Sequence, residues 1–222
     1  MSRLRMDKIE KEKGPSDFLA HYIHRPLENK IVMLIGNSSI TPNQISLLVN
    51  LIAYCATALF YFGYLLIASI LTFVVGLLDG VDGKLARAKG MTTKLGKMEH
   101  PFDLLYEFSW LVALSLYLYN SMNSAMPLIL CLISITLMSF YRACYDRFSR
   151  ETGKSLDVYG NFDKIFRRVA GRRNLYNIHI LFWILIGMPF YSLVTITIHA
   201  AITAFVYSFR ACWHLHNLDK KS

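Results

Sequence analysis

Between residues 44 and 213 the chain is divided into six apolar stretches, at 44–62, 65–78, 102–119, 126–145, 176–190 and 192–213, joined by short polar connections. An apolar helix crosses a hydrocarbon core in about 20 residues, so this alternation restricts the chain to a helical membrane bundle. It leaves no length for a separate soluble domain. The expected fold class is an all-α integral membrane protein with six transmembrane helices. Composition agrees, since 54% of the 222 residues are hydrophobic and 18% are charged. The second stretch runs only from residue 65 to 78 before Asp79, so its helix is expected to continue past the membrane surface as DGVDGKLARAKG. That places Asp79 at the lipid–water boundary.

The net charge of +9 does not point to nucleic acid, because Lys and Arg concentrate in segments between apolar stretches, where membrane orientation accounts for them. Basic residues crowd the amino terminus, 84–97, 142–173 and the tail, whereas the breaks at 63–64, 120–125 and 187–191 carry no charge. An even number of spans with alternating basic connections puts both termini and all basic loops in the cytosol. Residues 16–35 mix Phe, Leu, Tyr and Ile with His, Arg, Glu and Lys, which suits an amphipathic helix lying in the interface. In the TPNQ that follows, Thr41 can cap a helix whose first position is Pro42. The expected organisation is a cytosolic segment with the interfacial helix at 1–40, a membrane domain at 41–215 and a short cytosolic tail at 216–222. The amino terminus is too polar to read as a cleaved signal peptide. The four cysteines, Cys55, Cys131, Cys144 and Cys212, have no metal-like spacing and read as reduced packing residues.

Chemistry concentrates in DGVDGKLARAKGMTTKLGKMEHPFD, residues 79–103. Asp79 and Asp82 stand three apart and Glu99 and Asp103 four apart, so each pair shares a helix face. If the two helices run antiparallel, the pairs converge at the cytosolic boundary. Clustered carboxylates repel one another unless cations lie among them, and hard oxygen ligands favour Mg²⁺, Mn²⁺ or Ca²⁺. Such ions grip phosphate oxygens and offset the charge of displacement at phosphorus. Gly83 allows a bulky anion to approach the backbone, and Arg87 offers a planar fork for phosphate.

Asp79, Asp82, Gly83, Ala86, Arg87, Gly96 and Asp103 resemble the signature of the CDP-alcohol phosphotransferase superfamily, D-x2-DG-x2-AR-x7-8-G-x3-D-x3-D, and TPNQ resembles its lead into the first span. The resemblance implies that Asp79 and Asp82 are metal ligands, that Gly83, Ala86 and Arg87 contact the CDP moiety, and that Asp103 is the base on the attacking hydroxyl. It also implies Mg²⁺ or Mn²⁺, two ions, and a homodimer. The pattern departs at the third acid: four residues beyond Gly96 stands His100. Shifting by one gives Glu99 and Asp103 and keeps an i, i+4 carboxylate pair, so Glu99 is taken as the remaining metal ligand, with His100 the alternative.

The implied reaction is metal-dependent transfer of a substituted phosphate group from a CDP-linked donor, CDP-diacylglycerol in the leading reading, to the hydroxyl of an alcohol or alcohol phosphate, with release of CMP. A second reading donates a soluble CDP-linked headgroup such as CDP-inositol to a lipid or sugar-phosphate alcohol. A third, of another class, is a non-catalytic membrane scaffold or metal-binding relative. Arg172 and Arg173, just before the fifth span, are candidates for the phosphate of an acceptor, or for anionic lipid. Arg142, Asp146 and Arg150 have the spacing of a salt-bridged helix end, Glu107 either orients the acceptor or contacts a neighbouring helix, and His179 and His199 read as helix–helix hydrogen bonds.

Overall fold

The structure is a computed structural model that describes residues 18–91 and 99–220; Gly96 and the side chains of Glu99 and His100 lie outside the described residues. Among these residues every regular element is helical. A π-helical turn at Ala20–His24 leads into α1 (Arg25–Ile35), followed by α2 (Pro42–Tyr61), α3 (Leu65–Lys89), α4 (Glu99–Met122) and α5 (Met126–Thr152). A 3-10 turn at Leu156–Val158 precedes α6 (Asn161–Phe166), α7 (Arg173–Leu185) and α8 (Phe190–Asp219).

Local sequence sets the boundaries. The Thr41 hydroxyl accepts a hydrogen bond from the Gln44 amide at 3.3 Å while Gln44 Oε1 accepts one from the Thr41 amide at 2.9 Å, a reciprocal cap that fixes the start of α2 with Pro42 as its first residue. The turn from α2 into α3 needs positive φ, and Gly63 supplies it at 86°. Past Leu78, α3 continues unbroken to Lys89, as the shortness of its apolar stretch predicts. The fifth stretch is cut back: α7 ends at Leu185, and Gly187, at φ 79°, starts the turn that the sequence reading counted into the span.

Four helices, α2, α3, α5 and α8, are long and apolar enough to cross a membrane. Their outward faces carry large apolar side chains, with Leu47 72% and Phe205 70% exposed, as in a protein whose solvent on that side is lipid. The 24-residue α4 and the 13-residue α7 complete the assembly. At 1.5 Å per residue α7 is about 20 Å long.

Packing follows a closed circuit: α3 packs on α2, α2 on α4, α4 on α5, α5 on α8, α8 on α7 and α7 back on α3, with α1 laid against α3. Lipid tails offer no hydrophobic drive between helices, so small residues and buried polar contacts hold the seams. Ala53 and Ala56 are fully buried, and the Trp110 indole donates to the Ala53 carbonyl at 2.8 Å across the α2–α4 seam. Ser134 and Thr197 meet at 2.8 Å between α5 and α8. Asn177 donates to the Thr72 carbonyl at 3.3 Å between α7 and α3. His179 and His199 join α7 and α8 at 3.0 Å, the helix–helix contact expected of them. On α3, a Cβ at Gly80 would overlap the Glu28 carboxylate of α1, so that glycine is what lets the two helices approach. Glu28 in turn pairs with Lys84 at 3.0 Å.

Candidate active site

The long helices alternate in direction along the chain, so the carboxyl-terminal parts of α3, α5 and α8 gather at one end with the starts of α4 and α7. They enclose a cavity of about 530 Å³ there, lined by residues from all five helices, among them Asp79, Asp103, Arg142, Arg172, Arg173 and Tyr207. The sequence reading brings the two acidic pairs together at one boundary through antiparallel α3 and α4. In the structure α2 lies against both helices, and Asp79 and Asp103 line the same cavity.

Arg173 sits between them. Its guanidinium donates to Asp79 Oδ2 with one nitrogen and to the Tyr106 hydroxyl with the other, and Tyr106 donates to Asp103 Oδ1 at 3.1 Å. A fork of this kind holds two oxygens in fixed relation, which the point charge of a lysine cannot do. Asp79 Oδ1 is buried and has no hydrogen-bond partner among the described residues. Such an orphaned carboxylate oxygen costs about 1–3 kcal/mol unless a ligand takes it. Asp82, one turn on, is 3% exposed; Oδ1 accepts from the Gly83 amide and Oδ2 from the Ser46 hydroxyl at 2.6 Å. The donor set is all oxygen, which suits a hard divalent cation. Among the described residues no group of three acidic, His or Cys side chains reaches metal-ligand spacing, and Glu99, at the first position of α4 and four before Asp103, has its side chain outside them.

Gly83 is open where Gly80 is not: a Cβ at Gly83 meets only Arg87 Nη1, at an ordinary 3.5 Å. Packing therefore does not require the glycine, and the backbone there is open. Arg87 lies over it, within the fields of Glu28 and Asp82, and Ala86 is on the same turn.

Arg172 and Arg173 both line the cavity, but differently. The Arg173 side chain is 15% exposed and bound to Asp79; that of Arg172 is 35% exposed and stands 5.9 Å over the Tyr145 ring. Arg142 joins them, and here the expectation of a salt-bridged end along α5 is corrected: Arg142 pairs with Glu107 of α4 at 2.6 Å, and the pair along α5 is the exposed Arg147–Glu151, 2.8 Å. The buried Glu107 thus contacts a neighbouring helix, and Arg142 is a cavity cation that spacing along the chain does not reveal.

Sequence reasoning also passed over Asp157 and Asp163. Asp157 is 3% exposed and receives the hydroxyls of Tyr145 at 2.7 Å and Tyr207 at 3.1 Å, with Arg167 at 2.9 Å. Burial pushes its carboxyl above the usual carboxylate range, against the pull of these hydroxyls and of Arg172. Asp163 anchors α6 to α8 through Arg210, at 2.7 and 2.8 Å, and His214 at 2.8 Å. Burial acts to raise its carboxyl too, but those hydrogen bonds outweigh it and hold it below the ordinary 3.8. A lowered folded value means the anchor contributes fully above the unfolded value and loses its contribution as pH falls through the folded one. Asp163→Asn is therefore expected to unfold at lower temperature than the parent near neutral pH, with the gap closing as pH drops below 3.8. Thermal unfolding in detergent across that range checks it.

The fold and site thus define a membrane-embedded helical circuit with an acidic and arginine-lined cavity at one end. Comparison identifies it: residues 39–207 match the model of the CDP-alcohol phosphatidyltransferase family, and the chain belongs to that family. Curated relatives include a bifunctional IPC transferase and DIPP synthase of Archaeoglobus fulgidus, 28% identical over 165 residues (73% of this chain, 31% of that protein). Another, of the same description, is from Aquifex aeolicus, 32% identical over 111 residues (49% and 26%). The archaetidylinositol phosphate synthase of Pyrococcus horikoshii is 35% identical over 95 residues (42% and 50%). The matched segments span half or less of these relatives' lengths. Crystal structures of Mycobacterium tuberculosis phosphatidylinositol phosphate synthase share the fold. With CDP-DAG bound the TM-score is 0.64 at 16% identity, covering 85% of this chain and 93% of that one. In complex with manganese and citrate it is 0.63 at 17%, covering 85% and 88%.

Proposed function

We propose that the chain is a metal-dependent phosphotransferase of phospholipid synthesis that moves a substituted phosphate group from a CDP-linked donor, CDP-diacylglycerol first, onto the hydroxyl of an alcohol phosphate and releases CMP. The observation that carries this reading is the single cavity in which Asp79 and Asp103 face Arg142, Arg172 and Arg173. A site for charge on phosphorus and a site for a second anion are thus side by side. In this reading Asp79, Asp82, Glu99 and Asp103 would hold two Mg²⁺ or Mn²⁺ ions, whose positive charge would offset that of the diphosphate and of the displacement at phosphorus. Gly83, Ala86 and Arg87 receive the CDP moiety. Arg172 and Arg142 take the acceptor phosphate, and Arg173 holds Asp79 in place. Asp103 removes the proton as the acceptor oxygen forms its bond to the phosphorus next to the lipid, and the bond from that phosphorus to the CMP oxygen breaks.

The same reading takes six crossings, with α4 and α7 added to the four long helices, both termini and the cavity mouth at the cytosolic face, and limits of the membrane domain at 41–215. It also takes a homodimer. The likeness to bifunctional IPC transferase and DIPP synthases favours keeping one alternative, in which a soluble CDP-linked headgroup is the donor and a lipid or sugar-phosphate alcohol the acceptor.

The test is CMP release by the protein in nanodiscs with CDP-diacylglycerol and glycerol phosphate, inositol phosphate, inositol or serine, with and without Mg²⁺ or Mn²⁺. Release that needs the metal and one phosphorylated acceptor is the expected outcome. Release only with a soluble CDP-linked donor selects the alternative, and silence with both donor classes favours a scaffold.

A further inference from the structure

One buried carboxylate beside the cavity has no part in the reaction just described. Asp157, on the turn between α5 and α6, is buried behind the wall formed by Tyr145, Tyr207 and Arg172 and touches all three. The Tyr145 hydroxyl donates to its Oδ2 at 2.7 Å and the Tyr207 hydroxyl to its Oδ1 at 3.1 Å. Arg172 Nη2 lies 3.7 Å from Oδ2, and Arg167 Nε 2.9 Å from the same oxygen. A phenol has one proton and two lone pairs. With both protons committed to Asp157, the two phenolic oxygens can offer a ligand only lone pairs. Tyr141, also in the wall, spends its proton in the same way, on the Gly171 carbonyl at 2.7 Å. The cavity thereby presents guanidinium donors beside phenolic oxygens that can only accept.

We propose that Asp157 is a positioning residue for the acceptor: it fixes Arg172 for the acceptor's phosphate and turns the Tyr145 and Tyr207 oxygens into acceptors for the hydroxyls that the reaction leaves untouched. The inference rests on the proposed acceptor role of this cavity and adds a selectivity, since an alcohol phosphate with spare hydroxyls satisfies the arginines and the phenols and one without satisfies only the arginines. An amide at 157 keeps the size of the carboxylate but brings its own N–H donors and no charge. One phenol must then reverse its proton into the cavity, and Arg172 loses its tether.

The experiment has two arms. In the first, CMP release is measured for the parent, Asp157→Asn, Tyr145→Phe and Tyr207→Phe with inositol phosphate and with glycerol phosphate. Loss of a charge-assisted contact corresponds to about tenfold in KM. Asp157→Asn is expected to raise the KM for inositol phosphate by about that factor, with a smaller rise for glycerol phosphate. The KM for the CDP-linked donor should stay unchanged and kcat within about threefold. The phenylalanine variants, each losing a single hydroxyl, keep the test valid if the asparagine variant folds poorly, and they should raise the inositol phosphate KM severalfold. In the second arm, calorimetry follows inositol phosphate binding to the same proteins without donor. Weaker binding by Asp157→Asn or the phenylalanine variants supports the assignment even if the parent releases no CMP, an outcome that overturns only the reaction. Unchanged binding, or donor and acceptor KM moving together, overturns the role of Asp157.

Discussion

Asp103→Asn is expected to cut CMP release at least about a hundredfold, the usual scale of general-base removal, while the protein unfolds within a few degrees of the parent. Asp103 lines the cavity, and its Oδ1 accepts from Tyr106 at 3.1 Å. An asparagine presents the same carbonyl oxygen to Tyr106, so the α4 contact survives. What disappears is the capacity to take a proton and the negative charge of a metal ligand. The assay is single-turnover CMP release beside thermal unfolding in detergent. A well-folded variant with parental turnover removes Asp103 from the role of base. One that regains activity at higher Mn²⁺ keeps it as a metal ligand and assigns the base elsewhere.

The second large effect is on stability. Arg173→Ala removes the cation paired with Asp79, between side chains 15% and 18% exposed. Breaking one half of a buried pair costs about 3–5 kcal/mol, because the remaining carboxylate stays desolvated. For a chain of this size that corresponds to a fall of about 6–15 °C in Tm. Arg173→Lys should recover part of it. One ammonium can reach Asp79 but cannot hold Asp79 and Tyr106 in the same plane, so Lys should restore Tm more than activity. Equal recovery of both would mean that charge alone is needed. If Ala leaves Tm unchanged, the bridge from Asp79 to Asp103 is not what ties α7 to α3 and α4.

What the chain revealed before folding, and what it hid, divides by the range of the interaction. The cap at Thr41, the extension of α3 past Leu78 and the turn at Gly63 are decided within a few residues, and each is where sequence places it. The residue types and their helical spacing single out Gly83, whose backbone is open, and Asp79 and Asp103, which line one cavity. The partners of those acids were not legible. Asp79 and Arg173 are 94 positions apart, and Glu107 and Arg142 are 35 apart. Nothing local says that α7 returns to α3 or that α2 lies against both α3 and α4. Arg142 illustrates the loss: Asp146 stands one turn away on its own helix, but the carboxylate in hydrogen-bond reach is on another. Asp157 and Asp163 were invisible for a like reason, as single acids in a basic connection whose partners are tyrosines, arginines and a histidine of other helices.

The circuit of helices has a mechanical consequence. A row of helices can shed its last member at the cost of one seam, whereas every helix in a circuit is held on both sides, and removing any of them breaks two. Loosening by stages, from an end inward, is therefore the costly route. Because five of the six seam-bearing helices also supply the cavity wall, a chain that has lost one of them has lost both its closure and its chemistry. Partial proteolysis or truncation should leave a population of intact molecules and one of inert fragments, with little of intermediate activity between them.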